Sequence, residues 1–228
     1  MALIGFIGVI LLVGAIAAPQ WWVRHATRKH AVHRADIPGT GGEFARHLLD
    51  RFGMDHVGVE VTDRGDHYDS RARIVRLLKD HHDGASVTAV AVAAHEVGHA
   101  IQHHRGEAML QLRNVLAGVA VVTDRIASVF FYAAPVLAIF VRTPAAFFAM
   151  VAIGIALLGF RVVVHLITLP VEFDASFGKA LPILKEGGYM AEDDLPAVRT
   201  VLKAAAFTYI AGALMSLVNL AQWLRILR

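Results

Sequence analysis

His95-Glu96-Val97-Gly98-His99 sets two imidazoles four residues apart, with a carboxylate directly after the first. On an α-helix of about 3.6 residues per turn, positions i and i+4 share a face, so the two rings can converge on one metal ion. Glu96 projects beside that ion, where it can take a proton from water. The flanks support this reading. Val92, Ala93 and Ala94 precede the motif, Ala100 and Ile101 follow it, and Glu96 is the single charged residue between Thr88 and Ile101. A surface helix would carry long polar side chains at its other exposed positions. This one reads as a buried helix whose polar groups turn toward zinc, one ion per chain. The chemistry is metal-assisted hydrolysis: zinc acidifies water and polarises a carbonyl, while Glu96 moves the proton to the leaving amine.

A catalytic zinc normally keeps three protein ligands and one open position. One arrangement needs Gly three and His six residues beyond His99, but those positions hold Gln102 and Arg105. His103 is a weaker rival, and His103-His104 reads as a polar helix end. Downstream, Glu172 and Asp174 stand out in Leu169-Pro170-Val171-Glu172-Phe173-Asp174-Ala175-Ser176, where Thr168 and Pro170 read as a helix start. Glu172 is the expected third ligand. Residues 172 and 174 lie about 200° apart on a regular helix, so only one of them can face the metal. Glu172 shares a face with Ser176, and Asp174 points elsewhere, toward Arg161 or Lys179. An oxyanion donor is also required. Tyr209, at the start of the last apolar stretch, is the first choice, with Tyr189, Tyr68 and His165 as alternatives. Substrate backbone could add to the exposed edge of a strand Arg73, Ile74, Val75, Arg76, Leu77.

The elements that must position these residues follow from composition. The chain has 228 residues, 56% hydrophobic and 18% charged, with no cysteine. Ordinary soluble domains sit near ~45–50% apolar and ~25% charged, so the balance is shifted toward a membrane protein. The lack of cysteine excludes a disulfide framework, a thiol nucleophile and thiolate metal sites. A net charge of +3 is no nucleic-acid footprint. Twelve of the 13 histidines lie between His25 and His104, so a polar, His-rich block is set among apolar stretches.

Residues 1–20 carry no charged side chain and are followed by Trp21, Trp22, Arg24, Arg28 and Lys29, which reads as an uncleaved span with an interfacial belt. Further spans are expected at 126–141, 144–169 and 204–224. Two of them separate His99 from Glu172, an even number, which returns both to one membrane face. The basic block places that face in the cytoplasm. Within the block, Gly39-Thr40-Gly41-Gly42 starts a helix over 43–52, and Val57, Val59 and Val61 alternate as in a strand. A second strand over 71–77 is expected to pair with the first as a hairpin across the Asp- and Gly-rich segment 63–69. Ser86–His104 reads as the motif helix.

The expected fold is therefore mainly α: a multi-pass membrane protein with about four transmembrane helices and a small α+β zincin-like catalytic region carrying a short β-hairpin. Its parts are transmembrane helix 1 (1–20), the membrane-adjacent catalytic region with the motif (21–113), and transmembrane helices 2 and 3 (114–169). The second catalytic part, with Glu172 (170–203), and transmembrane helix 4 (204–224) follow. The partners expected are the lipid bilayer and a protein or peptide substrate, with no nucleic acid; nothing in the sequence fixes an oligomeric state.

His95–His99, the segment Asp66-His67-Tyr68-Asp69 with Arg71, and Leu169–Ser176 together resemble the YugP-type neutral zinc metallopeptidases of bacteria, which are similar to the HtpX-like membrane proteases. The resemblance runs over nearly the whole chain. It implies a gluzincin-like peptidase of the bacterial cytoplasmic membrane, with His95, His99 and Glu172 as ligands and Glu96 as base. Two positions depart from the pattern. Ser176 stands where the HtpX-like proteases have an Asp four residues after the distant Glu, so Asp174 or Ser176 takes over orientation of a ligand. Ser70 stands where Pro is expected after Asp69. Competing readings are an intramembrane site-two-type protease and a non-catalytic zinc-binding membrane scaffold; Glu96 argues against the second, because a binding-only site needs no base.

Overall fold

The computed structural model describes residues 18–140 and 143–225. The chain is mainly helical with one small sheet. A helix over 18–29, α1, leads to α2 (Gly41–Arg51), β1 (Gly58–Thr62), β2 (His67–Asp69), β3 (Ile74–Leu78), the short α3 (Lys79–His82) and α4 (Val87–His104). Then come α5 (Ala108–Phe140), α6 (Pro144–Phe173), a π-helical segment (Asp174–Ala180), α7 (Leu181–Glu186), a 3₁₀ turn (Glu192–Asp194) and α8 (Leu195–Arg225).

Local chemistry sets the helix ends. Thr40 and Glu43 form a reciprocal cap on α2: the Thr40 hydroxyl accepts from the Glu43 N–H at 3.3 Å, and the Glu43 carboxylate accepts from the Thr40 N–H at 2.8 Å. The Ser86 hydroxyl accepts from the Ala89 N–H at 3.1 Å and starts the motif helix α4. Gly106, at φ +65°, ends it.

The sheet differs from the expected hairpin. Its order is β1-β3-β2, with β1 parallel and β2 antiparallel to β3. The segment 63–69 is not a simple connection, because it carries β2; the hairpin is β2–β3. The chain reverses at Asp69, whose carboxylate accepts the N–H groups of Arg71 and Ala72, each at 3.0 Å. Arg73 sits in that turn at φ +57° and is not part of the strand. Since β3 is flanked on both sides, Arg73–Leu77 offers no open edge to a substrate, and that expectation is corrected. Arg76 ties the three strands, bonding Asp69 of β2 at 2.6 Å and Glu60 of β1 at 3.3 Å.

The core is built around α4, buried from Val87 to Gln102. It packs against α2, the sheet, the π segment and α8. Gly98 permits a close approach of the π segment: a Cβ there would stand 2.8 Å from the Ala175 carbonyl oxygen and 3.3 Å from the Ala175 Cα. The glycine inside the motif therefore lets the π segment that follows Glu172 lie directly on the motif helix.

Among the described residues, two stretches are long and apolar enough to cross a membrane, Pro144–Glu186 and Glu192–Leu214. This is fewer than the four expected. The stretch 1–20 lies largely outside the described residues, and 126–141 falls on α5, a helix that also carries Arg113, Asp124 and Arg125. Asp124 pairs with Arg161 of α6 at 3.3 Å. The expected helix start at Thr168–Pro170 is also corrected. The helix α6 runs through both, and Pro170, which has no N–H, sits within one turn of the π segment.

Gly98→Ala should destabilise the fold although alanine has the better helix propensity by about 1 kcal/mol. The added methyl meets backbone, which cannot swing away as a side chain can. A lowered melting temperature is expected; an unchanged or raised one would show that the two helices have room to part.

Candidate metal centre

Three buried side chains converge at the contact of α4 with α6. The Glu172 Oε2 atom lies 3.3 Å from the Nε2 atoms of both His95 and His99. The three ligand atoms all lie within 4.8 Å of one another, and each residue is buried. Bonds of ~2.0–2.2 Å at tetrahedral angles place neighbouring donors about 3.3 Å apart, so the carboxylate stands at zinc-compatible distances from both imidazoles. A donor set of two imidazoles and one carboxylate suits zinc, with one position left open.

The remaining atoms of each group are held in a way that aims the donors inward. The Ser176 hydroxyl donates to the Leu202 carbonyl at 3.1 Å and accepts from His95 Nδ1 at 3.0 Å. The Gln102 amide donates to the Val171 carbonyl at 3.0 Å and to Asp174 at 2.7 Å, and its oxygen accepts from His99 Nδ1 at 2.9 Å. With each Nδ1 protonated, both Nε2 lone pairs point at the shared centre. Asp174 in turn contacts Lys179, which also meets Glu107 at 2.9 Å. The second oxygen of Glu172 faces Arg113 at 2.9 Å, leaving Oε2 for a metal.

His95, His99, Glu172 and Arg113 line a cavity of about 330 Å³ together with Glu96, Asp66, His67, Tyr68, His81 and one wall of α8. Glu96 follows His95 on α4 and is buried, and this burial pushes its carboxyl above the usual range.

The sequence-derived candidates do not all meet at this site. His95, Glu96, His99 and Glu172 come together, and Ser176 and Asp174 stand behind them. Tyr68 lines the cavity and bonds His103 Nδ1 through its hydroxyl at 2.8 Å. Tyr189 does not reach the cavity; its hydroxyl is bonded by His47 at 2.8 Å and Arg51 at 2.5 Å. His165 packs beside Gly212 on α8 and is not among the lining residues. The side chain of Tyr209 lies outside the described residues, although its neighbour Thr208 lines the cavity.

Gln102, Arg113 and His81 were not singled out as functional from the sequence. Gln102 carried a legible signal: it is a polar residue three positions past His99 in an otherwise apolar helix, and it is 1% exposed. Arg113 and His81 gain their positions only through tertiary contacts.

A mainly helical chain with His-Glu-x-x-His on a buried helix and a third ligand-type carboxylate on a later one defines a class of metal-site proteins. A family model described as "Putative neutral zinc metallopeptidase" matches residues 5–228, and the chain belongs to that family. It is 35% identical over 224 residues to "Putative membrane protease YugP" of Bacillus subtilis (strain 168), covering 96% of this chain and 95% of that relative. No solved structure matches it.

Gln102→Ala should lower zinc affinity by about 10–100-fold, because His99 loses its orienting acceptor while all three donors remain. Competition with a chromogenic chelator measures this. An affinity equal to wild type would show that Gln102 only fills space.

Proposed function

We propose that this protein is a membrane-embedded, gluzincin-like zinc endopeptidase that hydrolyses protein substrates near the membrane surface. The observation that carries the reading is Glu172 Oε2 standing equidistant from the two motif imidazoles, in a cavity that also holds Glu96. His95, His99 and Glu172 would hold one zinc ion per chain. When bound, zinc supplies Lewis acidity toward water and toward the scissile carbonyl. Glu96 takes the proton from the attacking water and delivers it to the leaving amine as the C–N bond breaks. Arg113 and Ser176 act as positioning residues, holding Glu172 and His95 in place.

Substrate backbone has an edge available, though not the one expected. β2 is an outer strand of the sheet, and its His67 and Tyr68 line the cavity. An extended peptide added to β2 would pass along the metal ligands.

Membrane embedding is supported by the two apolar stretches and by the similarity to a relative named as a membrane protease. The basic residues of 21–113 favour a multi-pass chain in the bacterial cytoplasmic membrane, with the site at the cytoplasmic face. The motif helix itself is enclosed by α2, the sheet, the π segment and α8, which favours a membrane-adjacent site over an intramembrane site-two-type arrangement.

Purified protein in detergent, assayed for zinc content and casein cleavage, tests this function. Glu96→Gln should keep its zinc while cleavage falls about 10²–10⁴-fold, the loss expected of a missing general base. Full activity in that variant would contradict the assigned mechanism.

A further inference from the structure

A second pair of side chains faces the proposed metal ligands across the same cavity and has no part in holding them. Asp66 precedes β2, and His81 lies on α3 just beyond β3. Asp66 Oδ2 is 2.8 Å from His81 Nδ1, and Asp66 Oδ1 accepts the Leu78 N–H at 2.7 Å. Each side chain is 16% exposed, and both line the cavity with His95, Glu96, His99 and Glu172. The carboxylate is thus anchored at one oxygen by backbone and grips the imidazole with the other. Beneath His81 the backbone has no slack: a Cβ on Gly41 would stand 2.2 Å from the His81 carbonyl oxygen.

We propose that His81, held by Asp66, donates the hydrogen bond that stabilises the scissile carbonyl oxygen as it gains negative charge. This rests on the peptidase reading and supplies the oxyanion donor that the reaction needs. The other side-chain donors that line the cavity among the described residues each already meet a partner. The Arg113 guanidinium faces Glu172, the Tyr68 hydroxyl bonds His103, and His67 bonds the Gly65 carbonyl through Nδ1 at 2.8 Å. His81 differs because its Nδ1 meets a carboxylate, so the ring can carry both protons. Burial opposes the charged form of His81, but the Asp66 carboxylate outweighs it and holds the imidazolium above its usual value. Its Nε2 has no protein partner among the described residues. The same arrangement makes Asp66 a positioning residue: it sets the ring orientation and favours the doubly protonated form.

The test uses the full chain, zinc-loaded in detergent, with three readouts: peptide cleavage, zinc content, and affinity for a phosphinic peptide. The phosphinate carries a tetrahedral anionic oxygen where the substrate carbonyl would be. His81→Ala should lower kcat about 10²–10³-fold, the cost of one oxyanion donor, with KM, zinc content and melting temperature near wild type. Phosphinate affinity should fall with kcat. His81→Gln, whose amide can donate from near the Nε2 position, should recover part of both losses. The proposal is overturned if His81→Ala stays within about threefold of wild-type kcat, or if kcat falls while phosphinate affinity holds. It is equally overturned if both variants lose zinc or fold, since the residue is then structural. Glu96→Gln is run beside them. A wild type no more active than Glu96→Gln overturns the hydrolytic reading itself, whereas an active wild type with an active His81→Ala overturns the dyad alone.

Discussion

Two imidazoles and a carboxylate are buried at one point, and the rest of the structure is arranged around that constraint. A carboxylate that is 1% exposed is costly unless opposite charge and directed donors meet it. Glu172 has the Arg113 guanidinium on one oxygen and two imidazoles on the other. A divalent cation among the three would satisfy the inward-facing lone pairs together, so metal affinity and local stability are linked at this contact.

Meeting the constraint requires two helices far apart in sequence to touch at backbone distance. Gly98 removes the side chain that would keep them apart, and the π segment beginning at Asp174 follows directly on the turn that carries Glu172. Gln102 then bonds one helix to the other while orienting His99, and Ser176 links His95 to the Leu202 carbonyl of α8. The polar groups behind the ligands are therefore the same groups that fasten α4, α6 and α8 together. Loosening any of them should reach the metal before it reaches the fold as a whole, because the surrounding core from α2 and the sheet is independently apolar.

How much could be read in advance depended on range. The motif helix was legible because its signal is local: a Ser86 cap, a run of small apolar residues, and two histidines at helical spacing. The α2 cap at Thr40 was legible for the same reason. Glu172 was reachable over a long separation because few downstream carboxylates compete with it. The sheet was misread because alternation identifies strands but not partners. Parallel pairing of β1 with β3 depends on the path of the chain between them, and three residues of β2 are too short to show a period. Pro170 was misread as a helix start because proline at a first turn and proline inside a packed helix look alike in sequence. Asp66 was visible within Asp-His-Tyr-Asp, but its hold on His81 is a contact between two ends of a hairpin that sequence had drawn differently.

Zinc binding by single variants tests the identity of the third ligand directly. Zinc content and X-ray absorption should show one ion per chain in the wild type, with nitrogen and oxygen neighbours only. Occupancy should collapse in Glu172→Ala, where two imidazoles alone remain. It should persist in Asp174→Ala, whose carboxylate acts at one remove through Gln102. A Glu172→Ala protein that holds zinc as the wild type does, or an Asp174→Ala protein that loses it while Glu172→Ala keeps it, would contradict the metal centre described.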